Sequence, residues 1–134
     1  MSPLIAVAND DTDFLALMGE LLTDEGYRVG IHRVARDAYD EIKATVPDLI
    51  VLDIHMETPE AGWTLLELLT LDPALAAIPV LVCSADVVAL RAKAENLRAH
   101  GCDALEKPFD LDDLLEKVGL MLAGREAATP QPHG

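Results

Sequence analysis

Cysteine is scarce in this chain of 134 residues, which holds only Cys83 and Cys102. They lie 19 residues apart with no CxxC or Cys/His spacing, which excludes a disulfide framework, offers no zinc signature and suits a reducing cytoplasm. Long apolar runs are also missing. No stretch reaches the roughly 18 residues of a membrane span, and Met1-Ser2-Pro3 lacks the basic start of an export signal, so no membrane association is expected. Positive charge is in short supply: 10 Lys and Arg stand against 24 Asp and Glu, a formal net charge of −14. Such a surface repels a phosphate backbone, which argues against nucleic acid as a direct ligand. Aromatic residues are 4% of the chain, and its one tryptophan, Trp63, suits packing better than base stacking. Apolar residues are plentiful at 51%, enough to give a chain of this length one core.

The apolar residues fall into two kinds of pattern. Leu4 to Ala8, Leu49 to Leu52 and Ile78 to Cys83 are nearly unbroken short runs, the mark of parallel strands buried on both faces. Between them the spacing is helical, as in Phe14, Leu17, Met18, Leu21 and Leu22, and again in Leu111, Leu114, Leu115, Val118 and Leu122. Thr12 or Asp11 caps the first helix and Glu25-Gly26 ends it. Tyr27 to His32 then reads as a polar strand at or near an edge, and Arg36 to Thr45 as a second helix stopped by Pro47. A third helix covers Trp63 to Leu71, and a fourth covers Asp86 to His100, closed by Gly101. Cys102 to Glu106 is a short fifth strand, and Asp110 caps the last helix. Five strand–helix alternations with short connections specify a doubly wound α/β sheet. From Gly124 the apolar period stops, so the domain is expected over 1–123 and a flexible tail over 124–134.

In such a sheet ligands sit at the carboxyl ends of the strands. The residues there are Asn9, Asp10 and Asp11 after the first strand, Asp53 at the third, Ser84 at the fourth and Lys107 after the fifth. Asp10 and Asp53 on neighbouring strand ends repel each other at neutral pH, and an oxygen-seeking divalent cation, Mg²⁺, offsets that repulsion. Asp53 can then act as a nucleophile toward phosphorus, with Lys107 and the cation offsetting charge on the phosphoryl oxygens and Ser84 donating a hydrogen bond.

The acidic run AVANDDTDF, then LIVLD, VCSA and EKPF, in that order and at compatible spacing, resembles the receiver domain of bacterial two-component response regulators. The likeness covers Leu4 to Ala123. It implies a flavodoxin-like (βα)5 fold with a five-stranded parallel sheet in the order 2-1-3-4-5. It further implies that Asp53 is the phosphoacceptor, Ser84 the switch hydroxyl and Lys107 the phosphoryl partner. Mg²⁺ would be held by Asp10, Asp53 and the backbone carbonyl of His55, with Asn9 available through a water. The Lys107–Pro108 bond would be cis.

The sequence also departs from the family pattern. Asn9 stands where a second acid is usual, and Asp11, beyond the pair, is expected to turn toward the first helix. IHMETPEAGW, with Glu57 at the usual proline position and Gly62 one residue late, implies a one-residue insertion that places His55 or Glu57 near the phosphoryl group. Taken by itself, the His55 side chain reads as an exposed loop residue rather than a base. Ala104 replaces the usual aromatic switch residue.

The leading expectation is a stand-alone cytoplasmic receiver, phosphorylated by a histidine kinase or histidine phosphotransfer protein. It is not an enzyme beyond Mg²⁺-dependent self-phosphorylation and autodephosphorylation. Its output would be protein contact through the fourth helix, fifth strand and fifth helix, where Arg91, Lys93 and Arg98 form a rare basic group that also reads as a solvated face. The alternative is a receiver-like adaptor independent of phosphorylation, favoured by Asn9, Ala104 and the altered loop. A phosphatase with an aspartyl nucleophile is disfavoured, because Asp11 and Asp13 have its Asp-x-Asp spacing but lie too far into the first helix.

Overall fold

The unbroken apolar runs form the middle of a single sheet. In the computed structural model, which describes residues 2–56, 58 and 60–128, β1 (Leu4–Ala8), β3 (Leu49–Asp53) and β4 (Val80–Ser84) are flanked by β2 (Arg28–His32) and β5 (Asp103–Glu106). Every pairing is parallel and the order is β2-β1-β3-β4-β5, the expected flavodoxin-like arrangement, with the polar β2 at one edge.

Strand side chains alternate between the two faces, so each buried strand feeds two cores. Ala6, Ala8, Ile50, Leu52, Val80 and Val82 pack beneath α2 (Ala35–Thr45), α3 (Ala61–Leu71), α4 (Val87–Ala92) and α5 (Ala94–Ala99). Ile5, Val7, Leu49, Val51, Leu81 and Cys83 pack beneath α1 (Thr12–Asp24) and α6 (Leu111–Ala128). Asp11 settles the first cap: its Oδ1 accepts the N–H groups of Asp13 at 3.0 Å and Phe14 at 3.2 Å. Gly101, at φ 72°, closes α5 as expected.

Most element ends fall within one or two residues of the expectation, and two differ by more. The single fourth helix over Asp86 to His100 is interrupted at Lys93 (φ −101°, ψ 2°), which divides it into α4 and α5. Each half buries one side chain, Leu90 and Leu97, so little packing holds the segment as one rod. At the joint, the Lys93 ammonium sits 4.9 Å from the centre of the Trp63 ring on α3. The tail expected from Gly124 also begins too early, since α6 runs to Ala128. Alanine, arginine and glutamate sustain a helix without an apolar period. The rest of the expected tail, 129–134, lies outside the described residues, as does Glu57.

β3 and α3 meet at a crossing that only glycine permits. The Gly62 N–H donates to the Ile54 carbonyl at 3.1 Å, and a Cβ at position 62 would lie 2.3 Å from that oxygen. Gly62→Ala is therefore expected to lower stability by about 1–3 kcal/mol in urea unfolding, because the clash is with backbone. An unchanged midpoint would contradict this packing.

A second tie joins α2 to the end of α3. Asp72 Oδ2 accepts from Lys43 Nζ at 2.8 Å and from Tyr39 Oη at 2.5 Å, and Oδ1 accepts the Ala74 N–H at 2.9 Å. The Lys43 hydrogen bond, then those of Tyr39 and Ala74, hold this carboxyl down to about 2 from an ordinary 3.8. A depressed carboxylate stabilises the fold above its unfolded value and loses that contribution as pH falls through the folded one. The stability advantage of wild type over Asp72→Asn is accordingly expected to be constant above pH 5 and to shrink from about pH 4 to about pH 2. Denaturant unfolding across this range checks it, and a difference independent of pH would contradict it.

Candidate functional site

The strand order places β4 between β3 and β5, so side chains from the ends of the outer two strands reach toward each other over it. In register, Asp53 lies opposite Cys83 and Cys83 opposite Leu105, and the pleat sends Asp53 and Lys107 to the α1/α6 side. Lys107 Nζ donates to Asp53 Oδ2 at 2.9 Å, and the His55 N–H donates to Oδ1 at 3.1 Å. With its side chain 7% exposed, Asp53 has little water to stabilise its charge, and these two donors replace it. Lys107 stays 31% exposed, so its ammonium opens onto solvent as well as onto the carboxylate.

Asp53, His55 and Lys107 share a cleft of about 600 Å³ with Asn9, Asp10 and Asp11, walled on one side by Phe14, Phe109 and Leu111. Asn9 is buried. Its Oδ1 accepts the Asp11 N–H at 2.8 Å and its own N–H donates to the His32 carbonyl at 3.0 Å, which fixes the turn after β1. The Asp10 carboxylate is exposed, and among the described residues no side chain pairs with it. Asp11, as expected, turns to α1 and serves as its cap. The Lys107–Pro108 bond is cis.

Ser84 lies elsewhere. Odd-numbered Leu81 and Cys83 point to the α1/α6 core, whereas Val80, Val82 and Ser84 point to the α4 side. Ser84 is fully buried, and its Oγ accepts the Asp86 N–H at 3.0 Å while Asp86 caps Ala89. The neighbouring Ala85 reaches the cleft wall instead. Asp10, Asp53, Lys107, Asn9 and His55 are thus brought together, and the Ser84 hydroxyl is held at the start of α4. Ala104, where an aromatic is usual, is partly buried against the α4-side core.

Sequence reading missed two contacts: the Arg91–Glu106 ion pair at 3.6 Å, and Lys93 over Trp63. Parity carried a signal for the first, since Glu106 lies opposite Ser84 in register.

As a cation site the cleft offers two carboxylates, Asp10 and Asp53. Among the described residues no set of three or more His, Cys, Asp or Glu side chains is arranged to hold a metal. A transition-metal site needs such a set. Mg²⁺ does not, because it binds through one or two carboxylates, backbone oxygen and water, and so fits the residues present.

Residues 5–119 match the family model of the response regulator receiver domain, and the chain belongs to that family. Transcriptional regulatory protein ZraR of Escherichia coli K12 is 33% identical over 129 residues, 94% of this chain and 28% of ZraR. This chain therefore spans little more than a quarter of that relative. The Francisella response regulator 1452 receiver domain matches with a TM-score of 0.79 at 26% identity, covering 92% of this chain and 98% of that one. The receiver domain of sensor histidine kinase PA1611 from Pseudomonas aeruginosa PAO1 was solved with a magnesium ion coordinated in its active site cleft. It shares the fold, with a TM-score of 0.75 at 20% identity over 92% of this chain and 99% of its own. Receiver domains are in general signalling domains rather than enzymes. Among the described residues no helix is long and apolar enough to cross a membrane.

The two cysteines are free, buried and on opposite faces of the sheet, so adjacency of β4 and β5 does not pair them. Burial pushes the Cys83 thiol up to about 12, despite the lowering effect of nearby Lys107, and burial also raises Cys102. Neither is expected to react with a disulfide reagent at pH 8 in the native state, and both should react on unfolding. Rapid labelling of the folded protein would contradict this.

Proposed function

We propose that this receiver takes a phosphoryl group on Asp53 from a phosphohistidine of a histidine kinase or histidine phosphotransfer protein and passes the signal on by protein contact. The Lys107–Asp53 pair carries this reading: a nearly buried carboxylate at a strand end, neutralised by a movable ammonium and open to a cleft. One carboxylate oxygen attacks phosphorus while the P–N bond to the donor imidazole breaks, its electron pair staying on nitrogen. The product is an acyl phosphate. Lys107 follows the charge from the carboxylate to the phosphoryl oxygens. Asp10, Asp53 and the His55 carbonyl would hold Mg²⁺, with Asn9 reaching it through a water; when bound, the ion supplies charge compensation to the phosphoryl oxygens. Ser84 joins only by turning its hydroxyl from the start of α4 to the phosphoryl group. Hydrolysis of the acyl phosphate in the same cleft ends the signal.

The contact face in this reading comprises α4, α5, β5 and α6, with Arg91 on α4, Arg98 on α5 and Lys93 between them. The net charge of −14 favours a protein over nucleic acid as the direct partner of this domain, and its two unpaired cysteines suit the cytoplasm as its compartment. A phosphorylation-independent adaptor is the second reading, favoured by Asn9 in the cleft and Ala104 on β5.

Intact-mass analysis with acetyl phosphate or a phosphorylated kinase, plus Mg²⁺, decides between them. Wild type is expected to gain one phosphoryl mass, Asp53→Asn none, and Lys107→Ala to gain it about a hundredfold more slowly. No gain in wild type with either donor would favour the adaptor.

A further inference from the structure

Three of the four lysines rest on a carboxylate. Lys43 meets Asp72 and Lys117 meets Asp103, both at 2.8 Å, and Lys107 meets Asp53 at 2.9 Å. Lys93 is the exception. Although the chain carries 24 acids, no carboxylate among the described residues pairs with it, and its ammonium lies 4.9 Å from the centre of the Trp63 ring.

Lys93 and Trp63 both line a groove of about 560 Å³ between α3 and α5. On the α3 wall stand Trp63, Leu66, Glu67 and Thr70, and on the other Lys93, Asn96, Leu97 and His100. Each set has the i, i+3, i+4, i+7 spacing of one helical face, so the two helices turn whole faces toward the gap. Leu66, Leu97 and Cys102, none more than 6% exposed, give it an apolar floor continuous with the core on that side of the sheet. The volume lies within the range of small-molecule pockets, roughly 300–1,000 Å³. No residue of this groove lines the Asp53 cleft.

We propose that the groove between α3 and α5 binds a small organic monocarboxylate with an apolar body, its carboxylate on Lys93 and its body on Leu66, Leu97 and the Trp63 ring. The carboxylate completes Lys93 as Asp53, Asp72 and Asp103 complete the other three lysines. The body covers the apolar floor from water. Glu67, one turn from Trp63 along α3, repels a second negative charge, which selects an acid charged at one end over a dicarboxylate or a phosphate.

The probes are 3-phenylpropionate, 3-phenylpropanol and 3-phenylpropylamine, one apolar body with three head groups. Each is titrated into the ¹⁵N-labelled full chain at pH 7 without phosphodonor, reading the Trp63 indole N–H and the backbone amides. The acid is expected to shift signals from 61–71 and 92–102, with a Kd of about 1–10 mM for a ligand of this size. The alcohol is expected to bind about two- to fivefold more weakly, the scale of one exposed ion pair, and the amine more weakly still. Lys93→Met is expected to bring the acid down to the level of the alcohol while the alcohol binds as before. Thr70→Phe, which fills the groove, is expected to abolish binding of all three, with the amides outside it unmoved. Equal binding of the three probes by wild type, a preference for the acid that survives in Lys93→Met, or shifts centred outside the groove would overturn the site. So would the absence of any saturable shift with 50 mM acid.

Discussion

A carboxylate at the end of a buried strand is tolerable only if something replaces the water it loses, and here Lys107 does so for Asp53 at 2.9 Å. Much of the site's architecture serves that contact. The order β3-β4-β5 sets the two residues one strand apart, and the pleat turns both to the same face of the sheet. The compensating charge is a flexible ammonium, partly in solvent, rather than a rigid buried guanidinium. It can stay with the carboxylate or follow charge to a group attached there.

The sheet separates two groups of side chains by parity. Asn9, Asp53 and Lys107 open onto the α1/α6 side, where the cleft lies. Ser84, Ala104 and Glu106 belong to the α4 side, where exposed helices offer a surface. Residues that are neighbours in sequence and point opposite ways link the two faces. Lys107 and Glu106 are such a pair, and so are Cys83 and Ser84. A larger side chain at 104 would fill part of the α4-side core; with alanine there, Leu90 is the one buried apolar side chain of α4.

Much of this was legible in the sequence, because buried parallel strands announce themselves as unbroken apolar runs and the ligand end of such a sheet is set by chain direction. Asp10, Asp53 and Lys107 could be placed in one cleft on those grounds, and the resemblance supplied the strand order. Other features depended on relations that no local pattern carries. Leu90 and Leu97 are seven residues apart, two helical turns, so one straight helix and two short ones leave the same apolar spacing. The end of α6 was misplaced because a helix of alanine, arginine and glutamate needs no apolar stripe. The Asp72 cluster joins residues from two helices and has no local signature. Parity on β4 could have separated Ser84 from the cleft wall and Cys83 from Cys102, since each side-chain direction follows from strand direction and register.

The central claim is that Asp53, and no other side chain, is phosphorylated in this cleft. Borohydride reduction of the phosphodonor-treated protein, followed by peptide mapping, tests it directly, because the reagent reduces an acyl phosphate to an alcohol and leaves a free carboxylate untouched. The expected result is homoserine at position 53 alone, dependent on the donor. Phosphate recovered on His55 or Ser84, with position 53 still aspartate, would contradict the account.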